Sequence, residues 1–188
     1  MELGGEYRIT APRAAVWAAL NDATVLARAI PGCDSLEPCG DDSFEAVVTA
    51  RVGPVKARFK GRVRLTDKVP PESYSINGKG QGGVAGFASG GADVTLTEDD
   101  GATLLGYRVR AEVGGKLAQL GGRLIDATAK KMADDFFREF AAIVAPPEAP
   151  PTTAEAAPAE EKALPPIVWV PALLAVVTGL LYFFGIRP

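Results

Sequence analysis

The chain has 188 residues, 47% hydrophobic and 23% charged, a globular composition with room for one ordinary domain and a tail. Its net charge of −3 gives no bulk attraction to nucleic acid, which is not among the expected partners. No histidine is present, which excludes Ser-His-Asp and Cys-His catalysis within the chain. Cys33 and Cys39 alone make neither a zinc site nor a disulfide framework.

The opening "MELGGEYRIT" is too polar for a signal peptide, so both thiols are read as reduced and structural. Leu3, Gly5, Tyr7 and Ile9 alternate as a first strand, and Ala11–Ile30 reads as one or two short helices with Pro12 in the first turn. "PGC" at Pro31–Cys33 is a turn. Phe44, Ala46, Val48, Ala50 and Val52 then share one strand face. After a break at Gly53–Pro54 comes "VKARFKGRVRL", in which Val55, Ala57, Phe59, Val63 and Leu65 alternate with Lys56, Arg58, Lys60, Arg62 and Arg64. Strand signals follow at 73–80, 92–97 and 103–113, and a helix of about Leu117 to Val144 carries the apolar stripe Ile125, Ala129, Met132, Phe136, Phe140 and Ile143. These strands have one wet and one buried face, the mark of an antiparallel sheet. The pattern predicts an α+β domain over residues 1–145. A curved antiparallel sheet of about seven strands wraps a long C-terminal helix, which leaves an apolar cavity where the helix cannot fill the sheet.

Residues 146–166 form a Pro/Ala/Glu-rich linker, expected to be disordered because it lacks the apolar surface to offset its ordering entropy. Ile167–Ile186 is 20 residues without a charge, and at about 1.5 Å per residue it would match a bilayer's hydrocarbon thickness. Trp169 and Tyr182 sit toward its two ends as interfacial anchors. The expected location is the cytoplasmic face of the cell membrane, held by a C-terminal tail anchor with one transmembrane helix.

The element order resembles the helix-grip fold of the START/Bet v 1-like (SRPBCC) superfamily. "AIPGCDSLE" (Ala29–Glu37), "VGPVKARFKGRVRL" (Val52–Leu65) and "VGGKLAQLGGRLID" (Val113–Asp126) resemble CoxG, the family of carbon monoxide dehydrogenase accessory proteins. That resemblance implies a non-catalytic partner of a molybdenum hydroxylase of the carbon monoxide dehydrogenase type. It also implies attachment of that enzyme to the membrane and a hydrophobic small molecule in the cavity, with a respiratory quinone (menaquinone or ubiquinone) as the expected ligand. No intrinsic cofactor is implied. Trp17, Phe59, Val63, Phe87, Tyr107, Leu117, Leu120, Leu124 and Met132 are the expected cavity lining, with Tyr107 offering a hydroxyl. A pure membrane anchor or assembly factor with a filled interior, and a general lipid-binding or transfer protein, are the competing readings.

Other motifs are weighed on their chemistry. "GKGQGG" (Gly78–Gly83) satisfies a dinucleotide fingerprint, but strand-like sequence rather than a helix follows it. It reads as a turn with close backbone approach, or more sharply as part of a mobile lip at Gly82–Gly91. Leu117, Leu120 and Leu124 among Gly114, Gly115, Gly121 and Gly122 read as a helix start or as a gate. The pairs Asp41–Asp42 and Asp99–Asp100 fall in turns and suggest neither acid–base catalysis nor a metal site, so no catalytic and no metal residue is assigned. The row Lys56, Arg58, Lys60, Arg62 and Arg64 is either a solvated face neutralised by a neighbouring strand or a docking surface for a partner or membrane.

Overall fold

The computed structural model describes residues 1–145. Strand β1 (Glu2–Ile9) is followed by helices α1 (Arg13–Leu20) and α2 (Ala23–Ala29), then strands β2 (Cys33–Pro38), β3 (Ser43–Val52), β4 (Val55–Val69), β5 (Ser73–Gln81), β6 (Phe87–Asp99) and β7 (Ala102–Gly114), and helix α3 (Gly122–Val144). The seven strands form one antiparallel sheet in the order β1-β7-β6-β5-β4-β3-β2. β1, first in sequence, therefore closes the edge beside β7, the last strand.

Local chemistry sets the element ends. Pro12 stands at the cap of α1, one position before the first turn. Asp22 caps α2 by accepting from the backbone N–H groups of Thr24 (2.7 Å) and Val25 (3.3 Å). Asp42 and Asp100 take the left-handed backbone that tight turns require, with φ of 54° and 45°. Thr103 Oγ1 donates to the Ala11 carbonyl at 2.7 Å and ties β7 to the crossover between β1 and α1.

Three elements differ from the sequence expectation. β2 is an additional short edge strand with an irregular register at Cys33–Ser35. β6 starts at Phe87 rather than 92, so Phe87–Gly91 of the expected lip is paired with both β5 and β7. The long helix starts at Gly122, because Gly121 (φ 88°) separates it from a single 3-10 turn at Ala118–Leu120. The linker at 146–166 and the span at 167–186, with Trp169 and Tyr182, lie outside the described residues. Among the described residues no helix is long and apolar enough to cross a membrane.

The core is gathered at one end of the sheet. Ile9, Val16, Leu20, Leu65, Tyr74, Val94, Leu96 and Leu105 pack with Phe137 and Phe140 from the C-terminal half of α3. Phe137, not Phe136, is the more buried of the adjacent pair, and Phe140 is fully enclosed. Around them Tyr7 stacks on Phe137 at 4.3 Å and Trp17 meets Tyr74 edge-on at 5.6 Å. Stability should be correspondingly one-sided. Phe140→Ala should cost about 3–5 kcal/mol, whereas Leu124→Ala, at an exposed site near the other end of α3, should cost well under half of that. Denaturant unfolding of the full chain in detergent checks both, and equal losses would contradict a one-ended core.

Candidate functional site

Away from that core the inward face changes character. Across the register, Ala46, Gly61, Gly80 and Ala88 form one row, and Val63, Gly78, Gly90 and Ala111 form the next. None of the small residues reaches beyond Cβ, so the sheet floor is bare there. The result is a broadly open trough of about 370 Å³. All its lining residues come from β3 to β7, including Val48, Phe59, Ile76, Ala92 and Val109 beside those two rows. Lys79, Ser89 and Arg110 border it along their backbones, since strand alternation turns their side chains to the outer face. A second recess of about 450 Å³ lies beyond Ala111, between Phe87, Glu112 and Val113 of the sheet, Ala118 of the turn before α3, and Gly122, Ile125 and Asp126 at the start of α3.

Toward the core, the trough meets a group of aromatic rings. Tyr107, two residues along β7 from Val109, tilts on Phe137 at 5.1 Å, and the Tyr7 hydroxyl donates to the Asp134 carboxylate. Burial, and then the hydrogen bond to Asp134, push the Tyr7 phenol from 10.0 up to about 12. Burial and the nearby Asp134 charge raise Tyr107 as well, and burial alone raises Tyr74. The trough itself holds no titratable side chain on its inward face. It offers apolar area without a nucleophile, a base or a metal ligand, and among the described residues no three His, Cys, Asp or Glu side chains form a metal-binding group. Such a surface can sequester an apolar molecule.

The expected lining residues are dispersed. Phe59 and Val63 line the trough, and Phe87 lines the second recess. Trp17 and Tyr107 belong to the aromatic packing around the core. Leu117 is buried at 4% exposure, with its N–H donating to the Ala85 carbonyl, and is in the lining of neither recess described above. Leu120 is half-buried in the 3-10 turn, Leu124 sits exposed against the β3–β4 turn at Gly53, and Met132 is half-buried on α3. Sequence reasoning missed Ala46, Gly61, Gly78, Gly80, Ala88, Gly90 and Ala111. Their signal is smallness repeated at the inward parity, and the "GKGQGG" run supplies two of them from within β5.

The basic row lies exposed on the outer face of β4. Arg58 pairs with Asp34 at 2.9 Å, and Arg62 and Lys60 reach Glu45 at 2.9 and 3.8 Å. The Arg62 hydrogen bond, then Lys60, hold Glu45 below the usual carboxylate range. Lys56 and Arg64 make no ion pair with a described residue. The five cations are thus not a free ladder.

The family model for the G subunit of carbon monoxide dehydrogenase (CoxG) matches residues 5–145. A conserved protein from Geobacillus kaustophilus is 33% identical, with 77% of this chain and 95% of that one aligned at a TM-score of 0.73. A protein from Chromobacterium violaceum is 14% identical over 78% of this chain and 99% of that one, at a TM-score of 0.59. The Zhui aromatase/cyclase of Streptomyces sp. R1128 is 13% identical over 77% and 93%, at 0.54. The last two share the helix-grip fold alone. No curated protein matches the sequence.

Two glycines of the floor should respond in opposite ways. A Cβ at Gly80 would have its nearest neighbour at 3.8 Å, whereas one at Gly90 would lie 2.2 Å from the Arg110 carbonyl oxygen. Gly80→Ala should therefore leave stability unchanged or raise it by up to about 1 kcal/mol. Gly90→Ala should lower it by at least about 1–3 kcal/mol. Matched denaturant curves decide, and a destabilised Gly80→Ala would show the floor to be packed rather than open. Alkaline titration tests the phenol contact. Tyr7 has a raised folded-state pKa, so its contribution is complete below pH 10.0 and fades as pH rises through about 12. Asp134→Asn should bring one phenolate signal back toward ordinary pH, and an unchanged titration would remove the contact from the account.

Proposed function

The chain belongs to the CoxG family of carbon monoxide dehydrogenase, and we propose that it is a non-catalytic partner of a molybdenum hydroxylase of the carbon monoxide dehydrogenase type, carrying a hydrophobic small molecule in the trough. The observation that carries this reading is the bare apolar floor around Gly61, Gly78, Gly80 and Gly90. Its volume lies within the range of small-molecule sites, about 300–1,000 Å³. The absence of a titratable group on that floor favours holding over chemistry.

The ligand we propose is a respiratory quinone. An isoprenoid chain gains about 25 cal/mol for each Å² it removes from water, and the floor asks nothing of it but apolar contact. A quinone carbonyl needs a single donor, and Tyr107 is the phenol on the same strand face as Val109. In this role the hydroxylase would pass two electrons, with two protons from solvent, to the quinone, and the carrier would supply no redox group of its own. We further propose that residues 167–186 hold the domain at the cytoplasmic face of the membrane. The tether would bring the hydroxylase to its acceptor through effective concentration.

The test is extraction of the purified full chain, in detergent, with organic solvent, followed by mass spectrometry. Quinone in a near-equal ratio to protein is expected. Gly80→Leu, which projects a side chain into the trough at the least crowded floor position, should reduce the ratio more than tenfold without loss of folding. Phospholipid in place of quinone would point to lipid transfer. An empty extract from quinone-producing cells would leave a membrane anchor.

A further inference from the structure

Three connections close the sheet at the open end of the trough: the β3–β4 turn at Gly53–Pro54, the β5–β6 loop at Gly82–Gly86, and the β7–α3 loop at Gly115–Gly121. They are bound together as one surface. Leu117 N–H donates to the Ala85 carbonyl at 3.0 Å, and Gly82 N–H to that of Gly86 at 2.8 Å. The absence of a side chain at Gly86 is required, because a Cβ there would stand 1.9 Å from the Gly114 oxygen. Leu124 of α3 lies on Gly53, where a Cβ would come within 2.7 Å of its Cδ2.

Two properties of this surface coincide. Val84, Phe87 and Leu124 expose 85%, 48% and 37% of their area to solvent, and of the large exposed apolar residues among the described ones only Val69 lies at the other end of the sheet. The charges around them are mostly positive, with Glu112 and Asp126 the acids that share a recess with Phe87. Arg51, Lys56, Lys116 and Arg123 are all exposed, and none forms an ion pair with a described residue. No Asp or Glu occurs in 46–66, 79–92 or 113–125; the flanking acids along the chain are Glu45, Asp67, Glu72, Asp93, Glu112 and Asp126. The opposite end carries Asp41, Asp42, Asp67, Glu72, Glu98, Asp99 and Asp100. At that opposite end cations are neutralised, as in Arg8–Asp99 at 2.6 Å and Lys68–Asp42 at 2.6 Å.

We propose that this loop end docks on the anionic surface of a lipid bilayer, with Val84, Phe87 and Leu124 entering the boundary between headgroups and acyl chains. Exposed apolar side chains among four unpaired cations, which outnumber the two acids beside Phe87, match that surface in chemistry and in the sign of the excess charge. An acidic protein would satisfy the cations but gives no reason for Val84 to project alone. The acidic far end would be repelled from the same membrane, which sets the orientation. The 20 uncharged residues at 167–186 supply a reason for a bilayer to be near. The trough then opens toward the phase from which an apolar ligand would enter. The inference rests on the proposed function only for the nature of that cargo, since docking and cargo binding can fail separately.

Hydrogen exchange of the full chain reconstituted in phosphatidylcholine vesicles, with or without phosphatidylglycerol, tests it. Amides of 82–87 and 114–121 should exchange more slowly in the anionic vesicles, and added salt should reverse this. At low salt, Lys116→Gln and Arg123→Gln should each reduce the docking equilibrium about fivefold. Val84→Asp, at a solvent-facing position with little risk to folding, should abolish the protection while detergent-purified protein keeps its cargo. Gly80→Leu should do the reverse, losing cargo and keeping protection. Equal exchange of these loops in both vesicles would overturn the proposal. So would protection confined to the outer face of β4, or protection that appears only when the hydroxylase is added, which would make this end a protein interface.

Discussion

A seven-stranded antiparallel sheet has to hide its inward face, and the helices available here are too few to cover all of it. The large side chains are concentrated at one end: Phe137 and Phe140 of α3, Tyr7 and Tyr74 of the sheet, and Trp17 of α1. The N-terminal half of α3 brings Leu124, Ile125, Thr128 and Ala129, none of which is buried. The uncovered part of the sheet is the part floored by glycine and alanine. Dense packing is therefore confined to the far end, and that end can hold the fold while the other stays open. Regions with few buried apolar contacts are the ones a protein can leave accessible at little loss of stability.

Most of the architecture was legible in the alternation of apolar and polar residues. Phe44 to Val52, Val55 to Leu65 and Thr103 to Val113 each show their inward face in sequence, and the structure keeps that parity. The misread boundaries have local causes. Cys33–Pro38 is a short edge strand with an irregular register and a proline end, so it carries little periodic signal. "FASGG" has poor strand propensity and is held in β6 by neighbours on both sides. The site is harder to read than the fold because a cavity is written in what is absent. Aromatic residues such as Trp17 and Tyr107 suggest a lining by their chemistry, yet large side chains fill space, and these two go into the packed end. The informative residues are the inward-facing small ones, Gly78 and Gly80 in β5 and Ala88, Gly90 and Ala92 in β6. Their meaning depends on cross-strand register, which no single strand reveals.

The charge pattern repeats this lesson on the outer surface. The row Lys56 to Arg64 is the most conspicuous basic feature of the sequence, but Asp34 and Glu45 from β2 and β3 answer three of its five members. Exposed pairs of this kind are worth only about 0–1 kcal/mol each, so they matter less for stability than for deciding which cations stay available. Four of those left over, Arg51, Lys56, Lys116 and Arg123, are scattered through the sequence and come together only because β3, β5 and β7 all run toward the same end.

The openness of the trough also bears on how any ligand is held. A closed cavity binds through complete desolvation and releases only when some element moves. A trough floored by backbone and single methyl groups binds through area, with little on its floor to fix orientation. A long flexible chain can leave such a surface progressively, each segment giving up its own share of buried area, so no single step carries the full penalty. Such stepwise release would suit the carrier role proposed above, and its basis is the smallness of Gly61, Gly78, Gly80 and Gly90. Larger residues at these positions would fill the trough and take from it the area on which a ligand could lie.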